Sequence, residues 1–568
     1  VKAQLPVPDG GYDPILIVGA GPTGLTAALE LAYFGIRSII FDDDDKLSDG
    51  SRAIVIHGSV LEIFDKLGCA DTILEKGVIW QTARTYFRNT ELYRQHMAPP
   101  LPGALPTFIN LQQYYTESIL LDHLQATGMV EVHWRHQVVG ATQDTAGVTL
   151  EVMTPDGPQH FRGPYALACD GARSAMRKLM QLPFPGQAHL DYFLIADIRA
   201  ELPFACERLF FFDPPSNPGR TVLIQPQPDN VWRIDMQLPA NADIALEHQP
   251  ENIDRRIRAV IGDIPYELIW LSDYRFHERL LSRFRHRRIF FLGDAAHLMP
   301  PFGARGMNSG LHDVDNLIWK LWLVLEGRAP NALLDTYHIE RWAAQKRNQA
   351  IVNTTMSFIV PASKRRLFVR NTILRASAYV KQLRKLVDSG KMFEPIRYQR
   401  SPIVAPDRWW PLVGRQWRRA PLPGAKVPDC PCVLVEATGP RPIYLHKLFG
   451  KGFVALLFAT DLAAALAFAA EAFARPPTAP TLLAIVTADA APSAALPQNV
   501  HLLRDPERAL SKRYGALPGS MYLIRPDGYL AARRRTVRPT EFTALVHFAC
   551  LADAQPERMR LKMSSEQA

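Results

Sequence analysis

Cysteine is scarce in this chain: six residues in 568, too few to frame a fold of this length with disulfides. The one close pair, Cys430 and Cys432, is separated by a single proline. That spacing is not the CxxC of a redox site, and no cysteine or histidine partners at zinc-ligand spacing stand near it. Two incidental thiols and no metal site are expected. Long apolar runs are missing as well. No uninterrupted stretch reaches the ~20 residues that a membrane-spanning helix needs, so no integral membrane segment is expected. Residues 1–13 carry one lysine, two aspartates and no apolar core, which is not the pattern of a signal peptide and makes the cytoplasm the expected compartment. There is no low-complexity tract and no internal period. Formal charge is +9, and its densest run, Arg283, Arg285, Arg287 and Arg288, directly precedes a strand-like segment. A solvated strand start explains that run, and with no nucleic-acid signature beside it no such partner is expected. The weaker inference is that acidic small molecules are drawn in. The length suggests about three domains.

What is present is concentrated in three places. Residues 289–292 are a short apolar run that reads as a buried strand, ended by Gly293 and Asp294. A Pro- and Gly-rich loop follows over 299–306, and 307–321 reads as a helix with Leu311, Val314, Leu317 and Ile318 at helical spacing. A strand, a loop with bare amides and a helix start suit an anionic or electron-rich ligand. Near the amino terminus an apolar strand over 14–18 leads into Gly19-Ala20-Gly21-Pro22-Thr23-Gly24, a helix over 25–34 capped by Gly35, and a second apolar run ending in Asp42. Gly19 allows the tight turn, Gly21 lets a pyrophosphate approach the backbone, and Gly24 lets the helix pack close to the strand. Asp42, 18 residues past Gly24, is placed to accept a hydrogen bond from an adenosine ribose. An acid there argues against a 2′-phosphate, so FAD and not NADPH is expected in this fold. Asp43, with Asp44 and Asp45, extends the acid run into a solvated loop. Third, residues 165–177 read as a buried strand, then Asp170-Gly171, then a helix capped near Ser174.

In this order the three motifs resemble those of the single-component, FAD-dependent aromatic hydroxylases. G-D-A-A-H-x-x-P-P-x-G-x-x-G-M-N over 293–308 looks like that family's second flavin motif. The resemblance implies that Asp294, after Gly293, holds the ribityl chain. It implies that Pro301, Gly306, Met307 and Asn308 supply the loop and the amides facing the pyrimidine edge of the flavin. Arg305 stands where the family often has Gln or Lys; it is read either as a cation that stabilises reduced flavin or as a surface residue. By the same resemblance Arg52 contacts the flavin phosphates or ribose. Gln113 of Gln113-x-x-x-Glu117 touches the flavin side, with Gln112 as the alternative register. Asp170 and Gly171, with Arg177, belong to a motif tied to both FAD and the reduced nicotinamide. The implied architecture is α/β: a Rossmann-type FAD-binding domain of the p-hydroxybenzoate hydroxylase kind over 1–80, 110–180 and 281–400, a β-sheet substrate domain over 81–109 and 181–280, and a thioredoxin-like carboxyl-terminal domain over 410–560.

The remaining segments read more plainly. Residues 130–152 alternate as two strands would. Arg233 and Asp235 share one face of a strand, with sheet packing the expected reason. Leu333-Leu-Asp335-Thr-Tyr337-His-Ile-Glu340-Arg341 resembles the family's closing motif L-x-x-Y-x-x-E-R, with Trp342 in place of its usual proline, and without catalysis. Residues 345–392 are helical and basic, most simply a solvated face. Beyond a Pro- and Arg-rich boundary at 401–431 come strands over 452–459, 482–487 and 521–524, an Ala-rich helix over 462–474 and a Pro526-Asp527-Gly528 turn. Lacking CxxC, this part is expected to pack or dimerise, and a homodimer is one expected assembly.

The layout most resembles the hydroxyphenylpropanoate and phenol hydroxylases of aromatic compound catabolism. It implies NADPH- or NADH-dependent, O2-dependent hydroxylation of a small phenolic substrate, acidic in one reading, through a flavin C4a-hydroperoxide. His297, Pro301 and Arg305 are the candidate catalytic residues, with the carbonyls of Pro300 and Pro301 set to orient a substrate hydroxyl. The alternatives are a flavin-dependent halogenase or epoxidase on the same scaffold, or a non-catalytic FAD-binding partner protein.

Overall fold

The computed structural model describes residues 13–48, 50, 52–97, 99–239, 241–361, 363–407, 414–436, 438–487, 496–505 and 507–551. The readings of residues 1–12 and of Ser51 lie outside them. The chain forms two compact units, the first from 1–100, 105–312 and 345–394, the second from 101–104, 313–344 and 395–568.

In the first unit a six-stranded sheet runs in the order Arg285–His286, Ile289–Phe291, Ala166–Ala168, Ile15–Val18, Ser38–Asp42, Val130–Trp134. All pairings are parallel except the first. Ile15–Val18 is apolar at every position because both faces of a central parallel strand are covered. The helix Pro22–Tyr33 makes the crossover to Ser38–Asp42. Register brings the three motifs together. Val18 lies opposite Ala168, and Ala168 opposite Phe291. Gly19, Asp170 and Asp294 therefore follow neighbouring strands at their carboxyl ends, where open α/β sheets bind ligands.

Residues 130–152 yield three strands where two were expected. Val130–Trp134 joins the parallel sheet, and Gln137–Gln143 and Val148–Thr154 form a separate antiparallel meander with Gly157–Gly163. Arg135, at φ +60°, makes the turn between the first two, a conformation that composition does not announce in a non-glycine residue.

An eight-stranded sheet has the order His297–Leu298, Glu267–Leu280, Gly186–Arg199, Val231–Gln237, Thr221–Pro226, Arg208–Phe212, Thr82–Phe87, Thr90–His96. Its two faces differ. Leu194, Ala196, Val222, Ile224, Ile234 and Met236 pack with Ile253, Ile257 and Ile261 of the helix Pro250–Ile261. On the other face Phe193, Phe210 and Phe212 join Phe276 and, from the 299–306 loop, Phe302. Phe302 stands edge-on to Phe193 and Phe276 at 5.6 and 5.5 Å between ring centroids. The second face therefore covers the loop that follows Asp294.

The second unit is built on a seven-stranded mixed sheet, Gly439–Tyr444, Pro431–Glu436, Val500–Arg504, Thr481–Thr487, Phe453–Phe458, Met521–Ile524, Leu530–Arg534. Cys430 and Cys432 belong to its core, and burial pushes both thiols up to about 12. A buried ionic network crosses this unit. Arg525 donates to both oxygens of Glu340, at 2.5 and 3.0 Å, and to Asp527. Lys320 and Asn316 donate to Glu340 at 2.8 and 2.6 Å, and Arg341 donates to Asp313 at 2.6 Å. Burial alone would raise the Glu340 carboxyl, but Arg525 and Lys320 hold it well below the carboxylate range. Glu340 and Arg341 of the closing motif are thus structural, and the Asp527 turn is anchored by its own Arg525. Among the described residues no helix is long and apolar enough to cross a membrane.

Candidate cofactor and substrate site

The glycines of the first motif have no room to vary where the fold is tight and open space where a ligand belongs. A Cβ on Gly24 would lie 1.9 Å from the Gly19 carbonyl oxygen, and Gly19 itself has φ +102°. A Cβ on Gly21 would meet nothing within 4 Å, so the start of the Pro22–Tyr33 helix presents bare backbone to a cleft. Pro22 occupies the first helical turn, where its missing N–H costs nothing. Thr23 braces the two flavin motifs: its Oγ1 would be 2.7 Å from a Cβ on Gly293 and 2.8 Å from one on Gly310. Asp42 accepts from Ala20 N at 2.6 Å and from Asp44 N at 3.0 Å, which fixes its carboxylate at the end of its strand. Asp43 beside it is exposed.

Asp294 is accessible between buried neighbours and, among the described residues, accepts no hydrogen bond. It sits in a recess: burial raises its carboxyl, with the charges of His297 and Arg52 working against that. A partnerless carboxylate in a recess is a costly arrangement without a donor to fill it. Tyr274 lies close enough that burial and the Asp294 charge together push its phenol up to about 12. Asp170 accepts from Met176 N at 2.9 Å, while its buried Oδ1 has no partner. Gly171 follows at φ +70°. Among the described residues Arg177 forms no salt bridge. It donates to the carbonyls of Ala295 and Ala172 at 3.0 and 2.6 Å and stacks on Phe184, tying the third motif to the second.

The helix Gly306–Leu325 starts at the end of the loop. The N–H groups of Gly306, Met307 and Asn308 are in its first turn, where no helical acceptor exists; the first backbone bond runs from Ser309 N to Arg305 O at 2.8 Å. The Asn308 side chain does not reach outward. It donates to Val55 O and Ala304 O and accepts from His57 N. Arg305 is buried and not on the surface. It donates to Asn348 Oδ1, Lys391 O and Met392 O, and burial lowers its pKa to about 10. Its composition-rich loop looked solvated because the covering segment is distant in sequence. The carbonyl of Pro301 accepts from Ala304 N at 3.1 Å, so it closes a turn of the loop. His297 is buried, its ring 5.8 Å from that of Phe284.

Around the cleft mouth, Gln113 and Gln112 divide their tasks. Gln113 accepts from Ala53 N at 3.2 Å and donates to Glu117 at 2.8 Å. Gln112 is buried with neither amide atom partnered, and it lines a cavity of about 570 Å³ with Lys46, Tyr114, Trp134, Asp197 and Trp270. Burial raises Glu117 to about 7. Arg233 clamps Asp197 through two 2.8 Å bonds and donates to Arg52 O at 2.8 Å, which holds the Arg52 backbone at this place. The Arg52 guanidinium makes no hydrogen bond among the described residues. Gln112, Asp197 and Trp270 did not stand out in the sequence; only the register of one helix start signalled Gln112.

The bare backbone at Gly21, the unpartnered Asp294 and Gln112, the open helix start and the Arg52 cation fit a dinucleotide with an attached ring system. A family profile described as an FAD binding domain matches residues 13–352. A 3-(3-hydroxy-phenyl)propionate/3-hydroxycinnamic acid hydroxylase of Mycolicibacterium smegmatis is 31% identical over 398 residues, 69% of each chain. The chain belongs to the family of FAD-dependent aromatic hydroxylases. A second enzyme of that name from Burkholderia vietnamiensis is 31% identical over 396 residues, 69% of this chain and 71% of its own. The fold of this hydroxylase-family chain is similar to that of the flavin-dependent monooxygenase PieE solved with FAD and substrate, at TM-score 0.75 and 22% identity over 94% of this chain and 99% of that one. It is also similar to aklavinone-11 hydroxylase solved with FAD and aklavinone, at TM-score 0.72 and 22% identity over 95% and 99%. FAD is therefore the cofactor of the cleft.

Proposed function

We propose that this chain hydroxylates a small phenolic substrate, with NADPH or NADH as reductant and dioxygen as oxidant. The observation that carries the reading is the roof: an aromatic face of Phe193, Phe210 and Phe276 packed onto Phe302 of the flavin loop. A ring seated there would be shielded from water beside the cofactor. Bound FAD supplies the redox chemistry. The chain's residues do the rest. Asp294 and the glycine turns hold and orient the cofactor. The open amides of Gly306, Met307 and Asn308, with the positive helix end behind them, favour negative charge on its nearby edge. Arg305 adds a fixed cation to that end of the loop. His297 sets the field at Asp294. The compounds in the relatives' names, 3-(3-hydroxyphenyl)propionate and 3-hydroxycinnamic acid, are the substrates to test first.

In the same reading the FAD-binding part is 1–80, 110–180 and 281–400 and the roof 81–109 and 181–280. The mixed sheet of the second unit, flanked by Leu462–Ala474 and Pro539–Ala549, supports a thioredoxin-like arrangement. Its buried, hard-to-ionise thiols support packing or homodimer formation over redox exchange.

The test is oxidation of NADPH and NADH by the FAD-loaded protein, with and without phenols and phenolic acids, following peroxide and hydroxylated product. Ligand-stimulated oxidation with matching product is expected. FAD that neither nicotinamide reduces, whatever the ligand, would remove the hydroxylase reading in favour of a non-catalytic flavoprotein.

A further inference from the structure

The cofactor-facing side of the eight-stranded sheet carries several polar side chains, and almost all of them are satisfied within the sheet. Asp197 is held by Arg233 and Gln227. Gln237 accepts from Thr221 N and Oγ1. Thr85 donates to Ser389 at 3.0 Å, and Arg208 donates to Ser389 O at 2.9 Å. Two residues differ. Among the described residues neither oxygen of Asp235 accepts a hydrogen bond, and its Oδ1 is shielded. The amide of Gln225 makes none either, although the residue is buried.

These two are neighbours. Asp235 lies opposite Leu223 and Gln225 lies opposite Arg233, so Asp235 and Gln225 are a diagonal cross-strand pair on one face, within reach of long side chains and of a shared ligand. Asp235 also lies opposite Ile195, one step of the same face from Phe193. It therefore borders the aromatic cluster that packs on Phe302. A carboxylate that lacks a donor, beside an amide that lacks a partner, at the edge of an aromatic cluster, suits a ring bearing a hydroxyl.

We propose that Asp235 takes the proton of the substrate's ring hydroxyl, with Gln225 donating to the same oxygen. This rests on the hydroxylase reading. The O–H bond of the phenol breaks and a bond to a carboxylate oxygen of Asp235 forms. The electron pair left on the phenolic oxygen is shared into the ring, which makes the carbons ortho and para to it more nucleophilic. No further reactant is needed for this step.

The charges around Asp235 suit a base. Arg233 on its own strand, Asp197 on one side and Arg208 from the strand Arg208–Phe212 are the charged groups that act on it, and the intervening strand offers only the uncharged Thr221, Leu223 and Gln225 on this face. Burial raises the carboxyl to about 7, with Arg233 and Arg208 opposing and Asp197 adding. That is near the operating range of a general base.

The experiment compares FAD-loaded wild type with Asp235→Asn. Binding is read with 4-nitrophenol, whose colour reports its ionisation, and turnover with 3-(3-hydroxyphenyl)propionate and phenols of graded acidity. A carboxylate facing the hydroxyl makes the two groups share one proton, so bound nitrophenol should ionise at a higher pH in wild type than in D235N. Turnover of D235N should fall about 100-fold or more, lose the acid limb of its pH profile, and recover in part with the more acidic phenols. Equal nitrophenol ionisation in the two proteins, or wild-type turnover by D235N, overturns the assignment. If D235N does not retain FAD, Asp235→Glu decides: it should keep the raised nitrophenol ionisation, and loss of that shift overturns the assignment. A wild type that shows the shared proton but forms no product from any phenol supports the Asp235 assignment and removes the hydroxylase reading.

Discussion

Asn308 and His57 are joined by a 2.9 Å hydrogen bond from the His57 amide to the Asn308 side-chain oxygen, while the Asn308 amide donates to Val55 O at 2.8 Å. One side chain at a helix start thus pairs both polar groups of a neighbouring strand. Asn308→Ala leaves those groups buried without partners. We expect a loss on the order of 3 kcal/mol, read as a lower denaturation midpoint of the FAD-free protein.

Gly303→Ala should displace the flavin loop. Gly303 has φ +80°, and a Cβ there would lie 2.0 Å from the Lys391 carbonyl oxygen. The positive φ alone costs a non-glycine residue about 1–2 kcal/mol. Weaker FAD retention through gel filtration is the expected result.

Asp294→Ala removes a carboxylate that accepts no hydrogen bond among the described residues. A hydrogen bond to a charged group contributes about 1.5–3 kcal/mol, so FAD should bind about 10- to 100-fold more weakly. Quenching of flavin fluorescence on titration into the apoprotein measures this. Unchanged affinity would mean that the ribityl chain lies elsewhere.

Glu117 gives the FAD-free fold a pH dependence. Burial holds its carboxyl at about 7, above an ordinary unfolded glutamate. The fold binds this proton more tightly than the unfolded chain does. Its contribution is full below about pH 4.3, the unfolded value, and is lost as pH rises towards 7. Glu117→Gln should flatten that part of the stability curve, measured by denaturant unfolding from pH 4.5 to 7.5.

Arg525→Met should destabilise the second unit strongly. It leaves the Asp527 carboxylate without its cation and strips Glu340 of two bonds. Breaking a buried ion pair from one side costs about 3–5 kcal/mol. A thermal scan should show the loss, and a double change that also neutralises Asp527 should recover part of it.

The cleft was legible in the sequence because backbone geometry demands specific residues there. Only glycine fits at Gly19 and Gly24, and the strands before Gly19, Asp170 and Asp294 are apolar because they are central. The roof was less legible. A period of two says that Arg233 and Asp235 share a face, but not which face packs on the 299–306 loop, since both faces of this sheet are covered. Arg233 clamps Asp197, whereas the buried Oδ1 of Asp235 has no hydrogen-bond partner among the described residues. Of the two readings of Arg305, burial excludes the surface one, and the sequence could not decide between them because the residues that cover it, Lys391 and Met392, lie far along the chain. The choice between Gln112 and Gln113 turned on one residue at a helix start, where side chains one apart point in different directions.

The two-faced strand Val231–Gln237 separates durability from selectivity. Its even positions, Trp232, Ile234 and Met236, are fastened into the apolar core against the helix Pro250–Ile261, while Asp235 and its cross-strand neighbours Leu223 and Ile195 share the opposite face with the aromatic cluster of Phe193 and Phe210. Laboratory evolution for new aromatic feedstocks can therefore be confined to alternate positions of three adjacent strands, and a library built that way should keep its soluble yield while its product spectrum changes.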